Sequence, residues 1–456
     1  MITIIDPQKH ISCLLSKPEK HNWTMYRLMR YVLKVDCGND VVLHNVITGQ
    51  LVVLNESEKQ LLNEERVSLS QDVEELIDAY FFVPDDFDEH MLVINLRKIL
   101  RTLDAAKEVP VTQYKILPTT ACNARCYYCF EHGLKTVTMS EKTAEDVIEY
   151  IVSHCGNKRI NITWFGGEPT IAVNRIDQIS RGLLERGISY QSDMVSNGYL
   201  FDRETVKRAK ELWNLKSIMI SLDGTEESHN KTKAFINPGI SPYKRILDNV
   251  GLLIEQGIFV NLRMNFDLGN YLEFQDILEE ASNRFHNSSY IQVFAYPIIG
   301  EYANSEGNIL HGSDSWFAEK VIELNNDARN IGLYRYKKDL PILSFIGCEA
   351  DRRDAIVINP EGYLCRCGEQ VSNDDSIGTI NEGVVNKKHA YSWKALGDYD
   401  ACKGCVFFPK CLRMANCASK DSCYVQDRNY QFVYAVKEKY TDWKNNNKKG
   451  GNYHEI

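Results

Sequence analysis

Between residues 110 and 335, short apolar runs recur at 114–117, 160–165, 190–195, 217–222, 259–265 and 290–295. Longer stretches of helical periodicity, such as 143–151 and 243–255, separate them. Buried parallel strands read as brief apolar runs, and helices as apolar positions three and four apart. Six repeats of this kind predict an α/β unit with a parallel sheet, whose reactive side chains belong on the loops that follow the strands. The first 108 residues read differently. Runs at 31–35, 41–47 and 50–54, with a turn at Thr48 and Gly49, predict a small antiparallel sheet. Asn55 followed by Glu58 has the form of a capping box; Val73, Leu76, Ile77 and Tyr80 share one helical face; and residues 81–83 suit a short wing. After 338 the alternation stops. The last helix is expected over 428–443, followed by a disordered polar tail over 446–456.

With 456 residues the chain exceeds what one hydrophobic core usually covers, so two or three domains are expected. The boundaries fall at 1–108, 109–337, 338–445 and 446–456. The apolar fraction of 44% is that of a globular protein, and a formal charge of −9 without a long basic stretch argues against nucleic acid as partner. No signal peptide or membrane span is visible, so a cytoplasmic protein is expected. In a reducing compartment 14 cysteines suit metal binding better than a disulfide framework. Only Cys13, Cys37 and Cys155 lie outside two groups, and they need no function.

The first group is Cys122, Cys126 and Cys129, spaced CxxxCxxC just after the first barrel strand. Three thiolates suit a four-iron four-sulfur cluster with one iron left open, whereas a closed zinc site takes four ligands; the nearest fourth candidate is His132. The run Thr119, Thr120, Ala121, Cys122, Asn123, Ala124, Arg125, Cys126, Tyr127, Tyr128, Cys129, Phe130 and Glu131 resembles the cluster loop of radical S-adenosylmethionine enzymes, down to the aromatic Tyr128 before the third cysteine. That resemblance implies an open six-stranded partial barrel. It also implies S-adenosylmethionine chelated to the open iron and cleaved to a radical that abstracts a substrate hydrogen.

Further motifs fit the same family. Gly166, Gly167, Glu168 and Pro169 end the second strand; the glycines allow close backbone approach, and Glu168 can accept from an ammonium group. They resemble the family's GGEP motif, which implies that Gly167 and Glu168 hold the methionine amino group. Ser196 and Asn197 end the third strand, and Ser221 and Asp223 the fourth. By resemblance Ser221 is the ribose ligand, with Asn197 and Asp223 nearby. The family arginine expected about twelve residues after that serine is absent, and Lys233 stands in its place; an ammonium cannot make the bidentate contact of a guanidinium.

The second group is Cys348, Cys365, Cys367, Cys402, Cys405, Cys411, Cys417 and Cys423. Eight thiols make two sets of four, and zinc or iron-sulfur clusters suit them equally by spacing. The pattern resembles the SPASM domain of peptide maturases, which implies two auxiliary four-iron four-sulfur clusters and three clusters in all. The family's interleaving assigns Cys348, Cys367 and Cys417 to an inner cluster and Cys402, Cys405, Cys411 and Cys423 to an outer one, with Cys365 as the natural fourth inner ligand. Its other reading is a buried free thiol.

The N-terminal unit resembles the winged-helix-like recognition elements of such maturases, implying a leader peptide added to the sheet edge; a structural cap is the alternative. Together these expectations describe a maturase that forms thioether cross-links in a ribosomally made precursor peptide, with a flavodoxin- or ferredoxin-type electron donor and no membrane partner. Carbon-carbon cross-linking, formylglycine formation and a non-catalytic iron-sulfur carrier are the rivals. Gly368 removes the aspartate that the formylglycine reading expects after Cys367.

Overall fold

The chain opens with an α+β unit, described here from a computed structural model. The described residues are 3–4, 15, 20–21, 24–131, 133–239, 241–286, 288–298, 301–303, 309–311, 315–335, 339–396, 400–417, 423 and 425–448. Its elements are β1 (Thr3–Ile4), β2 (Tyr26–Leu28), β3 (Val32–Cys37), β4 (Asp40–Asn45), β5 (Leu51–Leu54), α1 (Gln71–Asp78), β6 (Phe82–Pro84) and α2 (Glu89–Ala105). Four strands form an antiparallel sheet in the order β1-β5-β4-β3, while β2 and β6 pair separately. Alternation along the strands gives the sheet two apolar faces. Val32, Val41, Leu43, Val52 and Leu54 pack with Val73, Leu76 and Ile77 of α1 and Val93 and Leu96 of α2. The expected capping box forms: Asn55 Oδ1 accepts from Glu58 N at 3.1 Å and Glu58 Oε2 from Asn55 N at 2.9 Å. It heads a 3-10 turn rather than an α-helix.

The second unit is the expected barrel. Its strands are β7 (Gln113–Thr119), β8 (Ile160–Gly166), β9 (Tyr190–Ser196), β10 (Leu215–Leu222), β11 (Phe259–Phe266) and β12 (Ile291–Pro297), all parallel and in sequential order. Around them lie α3 (Glu141–His154), α4 (Val173–Glu185), α5 (Arg203–Glu211), α6 (Glu226–Lys233), α7 (Pro242–Glu255), α8 (Phe274–Phe285) and α9 (Ser315–Asn330). Strand faces divide the labour. In β9 the residues Tyr190, Ser192, Met194 and Ser196 are buried, and Gln191, Asp193 and Val195 are half-exposed on the opposite face. A hairpin, β13 (Glu301–Ala303) and β14 (Ile309–His311), follows the last strand.

The last third joins this sheet rather than standing apart. β15 (Ala355–Ile358) pairs in parallel with β7, and β16 (Tyr363–Cys365), β17 (Gly378–Thr379) and β18 (Gly383–Val384) continue the sheet antiparallel. Gly362, with φ +85°, supplies the left-handed turn between β15 and β16. A short α10 (Lys387–Ser392) precedes the cysteine loops, and α11 (Val425–Lys448) closes the chain, longer at both ends than expected. Residues 449–456 of the expected tail lie outside the described residues. α11 returns to the first unit, where Phe432, Val436 and Tyr440, with Phe407, cover Leu33, Val35, Val42, Leu51 and Val53. Among the described residues no helix is long and apolar enough to cross a membrane.

Arg97 of α2 fastens the two ends polarly. The residue is 4% exposed, and its guanidinium donates to the carbonyls of Ser344 (3.1 Å), Phe408 (2.5 Å), Pro409 (3.0 Å) and Cys411 (3.0 Å). Nearby, Arg101 pairs with the buried Asp351 at 2.8 Å. Removing Arg97 strands several buried acceptors at once. Arg97→Ala is expected to cost about 3 kcal/mol or more of stability, read as a lowered urea midpoint with unchanged slope.

Candidate active site

The CxxxCxxC loop leaves β7 at Thr119, whose hydroxyl accepts from Ala121 N at 3.0 Å and donates to Val137 O at 3.0 Å. Cys122 Sγ accepts from Ala124 N at 3.4 Å and lies 4.0 Å from Asn197 Nδ2, the kind of N–H support a thiolate cluster uses. Farther along, Arg125 N donates to Lys233 O at 2.8 Å, tying the loop to the end of α6. The three sulfurs are electrostatic neighbours. Burial pushes the Cys122 thiol up to about 11 and raises Cys126 and Cys129, while Lys233 opposes the rise at the last two. Loading with a metal centre therefore requires proton release. Among the described residues no three His, Cys, Asp or Glu side chains converge to hold a single metal ion, and His132 lies outside those residues.

Two glycines let the second strand end against that loop. A Cβ on Gly166 would stand 2.3 Å from Thr119 O, and one on Gly167 2.4 Å from Ala121 O and 2.6 Å from Thr120 O. Only glycine permits this approach. The Glu168 carboxylate, expected to meet an ammonium, also has partners inside the protein. It is fully buried; Oε1 accepts from Thr170 N (3.1 Å), Thr170 Oγ1 and Ser196 Oγ (2.8 Å), and Oε2 from Asn197 N (2.7 Å). Glu168 thus locks the second strand end to the third, beside the half-buried Gly166 and Gly167.

Behind the cysteines lies a buried polar knot. Lys233 Nζ donates to Tyr128 Oη (2.7 Å) and Ser221 Oγ (2.7 Å) and sits 3.1 Å from Asp223 Oδ2. Tyr128 Oη donates to Asp223 Oδ2 at 2.5 Å, and Asn265 Nδ2 donates to Asp223 Oδ1 (3.0 Å) and to Tyr128 Oη (2.9 Å). Burial alone would lower the Lys233 ammonium; Asp223, Tyr128 and Cys126 outweigh it and hold the group above its ordinary range. His229, pushed down to about 3 by burial, is neutral and accepts from Asp223 N at 3.2 Å. The loop residue Tyr128, the strand-end residues Ser221 and Asp223, and Lys233 therefore meet at one place. Asn265 and His229 belong there too; the position of Asn265 near the C-terminal end of a barrel strand was the available signal.

The C-terminal thiols are electrostatic neighbours as well, although among the described residues no three of them converge to hold a single metal ion. Cys405 has Cys411, Cys423 and Cys402 as sulfur neighbours, and Cys348 has Cys417; Cys367 in turn neighbours Cys348. Cys402 Sγ lies 3.9 Å from Arg413 Nη1, Cys411 Sγ accepts from Arg428, and Cys367 Sγ accepts from Glu369 N at 3.4 Å. Cys365 is fully buried in an apolar cluster with Leu117, Val357 and Val371, beside Cys367. Burial drives its thiol to about 12. Cys37 and Cys155 pack into apolar clusters elsewhere, and Cys13 lies outside the described residues.

Residues 116–281 match the profile of the Radical SAM superfamily. The chain carries a radical SAM domain. Uncharacterized protein MJ0907 of Methanocaldococcus jannaschii is 30% identical over 128 residues, 28% of this chain and 40% of that protein. The cysteine-type anaerobic sulfatase-maturating enzyme of Clostridium perfringens strain 13 is 27% identical over 332 residues, 64% of this chain and 85% of that protein. Among solved structures, anSMEcpe with bound AdoMet superposes with a TM-score of 0.57 at 16% identity, covering 73% of this chain and 99% of that one. Streptococcus suis SuiB bound to precursor peptide SuiA gives 0.52 at 14%, covering 88% and 96%. These structural likenesses are of fold. The donor set of the radical SAM domain, three cysteines in one loop with N–H support at Cys122 and glycine backbone pressed against the loop, fits the cluster and S-adenosylmethionine that this superfamily uses. Gly167→Ala drives a methyl group into the carbonyls of Thr120 and Ala121. It is expected to lower iron incorporation at the first cysteine set while leaving far-ultraviolet circular dichroism unchanged, checked by iron analysis and visible absorption after reconstitution.

Proposed function

We propose that the protein is a radical S-adenosylmethionine peptide maturase that forms thioether cross-links in a ribosomally made precursor. The observation that carries the reading is the sorting of the C-terminal sulfurs into two neighbourhoods, Cys402, Cys405, Cys411 and Cys423 in one and Cys348, Cys367 and Cys417 in the other. That sorting supports two auxiliary clusters beside the radical SAM domain, with Cys365 the remaining inner candidate. The first cluster with S-adenosylmethionine, held by Cys122, Cys126 and Cys129, supplies a hydrogen-abstracting radical when bound. For each thioether, a peptide carbon gives up one hydrogen atom, a cysteine thiol one proton and the pair one electron, for which an auxiliary cluster bound by the C-terminal cysteines would be the acceptor. A flavodoxin- or ferredoxin-type protein is the expected donor for the first cluster.

A peptide substrate is supported by two likenesses: to SuiB, solved with a precursor peptide, and to the sulfatase-maturating enzyme. The N-terminal sheet offers the surface for a leader, because among the described residues β3 pairs only with β4 and stands at the sheet edge. Formylglycine formation is the second reading, favoured by the 85% of the sulfatase-maturating enzyme that the match spans. It meets a chemical difficulty. Gly368, beside the Lys115–Glu349 ion pair, carries no carboxylate to act as the base which that reading expects directly after Cys367.

Reduced, reconstituted protein is expected to cleave S-adenosylmethionine to 5′-deoxyadenosine, and Cys126→Ala to abolish this; chromatography of the products decides, and undiminished cleavage would remove the ligand assignment. Coexpression with a cysteine-bearing precursor should yield peptides that lack two hydrogens per bond and keep their sulfur. An aldehyde product with sulfur lost would transfer the assignment to formylglycine. Added leader peptide is expected to slow amide exchange in β3 and to spare the interior strand β5; uniform exchange would leave the N-terminal unit a structural cap.

A further inference from the structure

Lys233 has no proton left for a ligand. An ammonium carries three donors, and those of Lys233 are met by Tyr128 Oη, Ser221 Oγ and Asp223 Oδ2, with the side chain 3% exposed. A carboxylate arriving beside Ser221 needs another cation. The sheet register supplies one: Ser221 of β10 lies opposite Arg263 of β11, and both fall on half-exposed positions whose strand neighbours are fully buried. The guanidinium of Arg263 sits 5.4 Å over the Tyr296 ring, and its Nε is buried with no hydrogen-bond partner among the described residues. A buried Nε–H without an acceptor is a donor that an incoming carboxylate can satisfy, and a guanidinium can bind a carboxylate through two parallel N–H bonds.

We propose that Arg263 holds the methionyl carboxylate of S-adenosylmethionine beside Ser221, while Lys233 serves as the buried counter-charge of Asp223. This rests on the radical S-adenosylmethionine reading above and assigns one of its contacts. The cation therefore comes from the fifth barrel strand instead of the helix after the fourth. A carboxylate of the peptide substrate is the rival source of the same chemistry. The cofactor's source is favoured by position, since Ser221 is bonded through Lys233 to the cysteine loop residue Tyr128.

The test is equilibrium binding to the cluster-loaded protein, comparing S-adenosylmethionine with its decarboxylated analogue. Arg263→Gln is expected to weaken S-adenosylmethionine roughly tenfold to a hundredfold and to leave the analogue unaffected. Arg263→Lys, which keeps the charge and loses the fork, should fall between, and unchanged circular dichroism and cluster absorption would confirm that both variants fold. Unchanged S-adenosylmethionine binding by Arg263→Gln overturns the assignment, as does an equal loss for both ligands. A wild-type protein that binds neither ligand would instead overturn the underlying reading, and the assignment with it.

Discussion

One buried ammonium organises the mouth of this barrel. Lys233 closes α6, yet its charge sits under the cysteine loop, where it holds Tyr128, Ser221 and Asp223 in one hydrogen-bonded group. A lone ammonium at that depth would be too costly to keep; it persists because a carboxylate and two hydroxyls satisfy it completely. The loop is therefore anchored from below by charge and from the side by the backbone of Gly166 and Gly167. Glu168 performs the matching task on the next pair of strands, its carboxylate accepting from Thr170, Ser196 and Asn197. Fixed positions matter more than reach in such a site, since a radical must form at a set distance from the atom it attacks.

Much of this was legible because barrel strands announce themselves twice, by apolar runs and by the polar residues that end them. The six strands, the loop cysteines and the strand-end residues Ser196, Asn197, Ser221 and Asp223 all lie where the pattern put them. Orientation was not legible. Nothing in the order of residues says that Glu168 turns inward, because its partners Ser196 and Asn197 come from another strand. Lys233 likewise reads as a substitute for an arginine until its three partners are seen. β15 escaped notice for a related reason: four residues, Ala355–Ile358, become a strand only because β7, far upstream, offers an edge. The box at Asn55 and Glu58 shows the limit of local signals, since its hydrogen bonds form as read but the turn they cap never grows into a helix.

The three units are interlocked, not strung in series. Strand β15 extends the barrel sheet, Arg97 and Arg101 of α2 reach the loops that carry Cys411 and Cys348, and α11 covers one face of the first sheet. The first unit and the cysteine-rich loops thus share a direct hydrogen-bonded contact through two guanidinium groups of one helix.

The cover that α11 lays over β3, β4 and β5 ties the two extremes of the polypeptide together during synthesis. Until α11 has emerged and docked, Leu33, Val35, Val42, Leu51 and Val53 lack the cover of Phe432, Val436 and Tyr440. Without α11 that surface would stand bare, a contiguous apolar patch of the kind that invites aggregation.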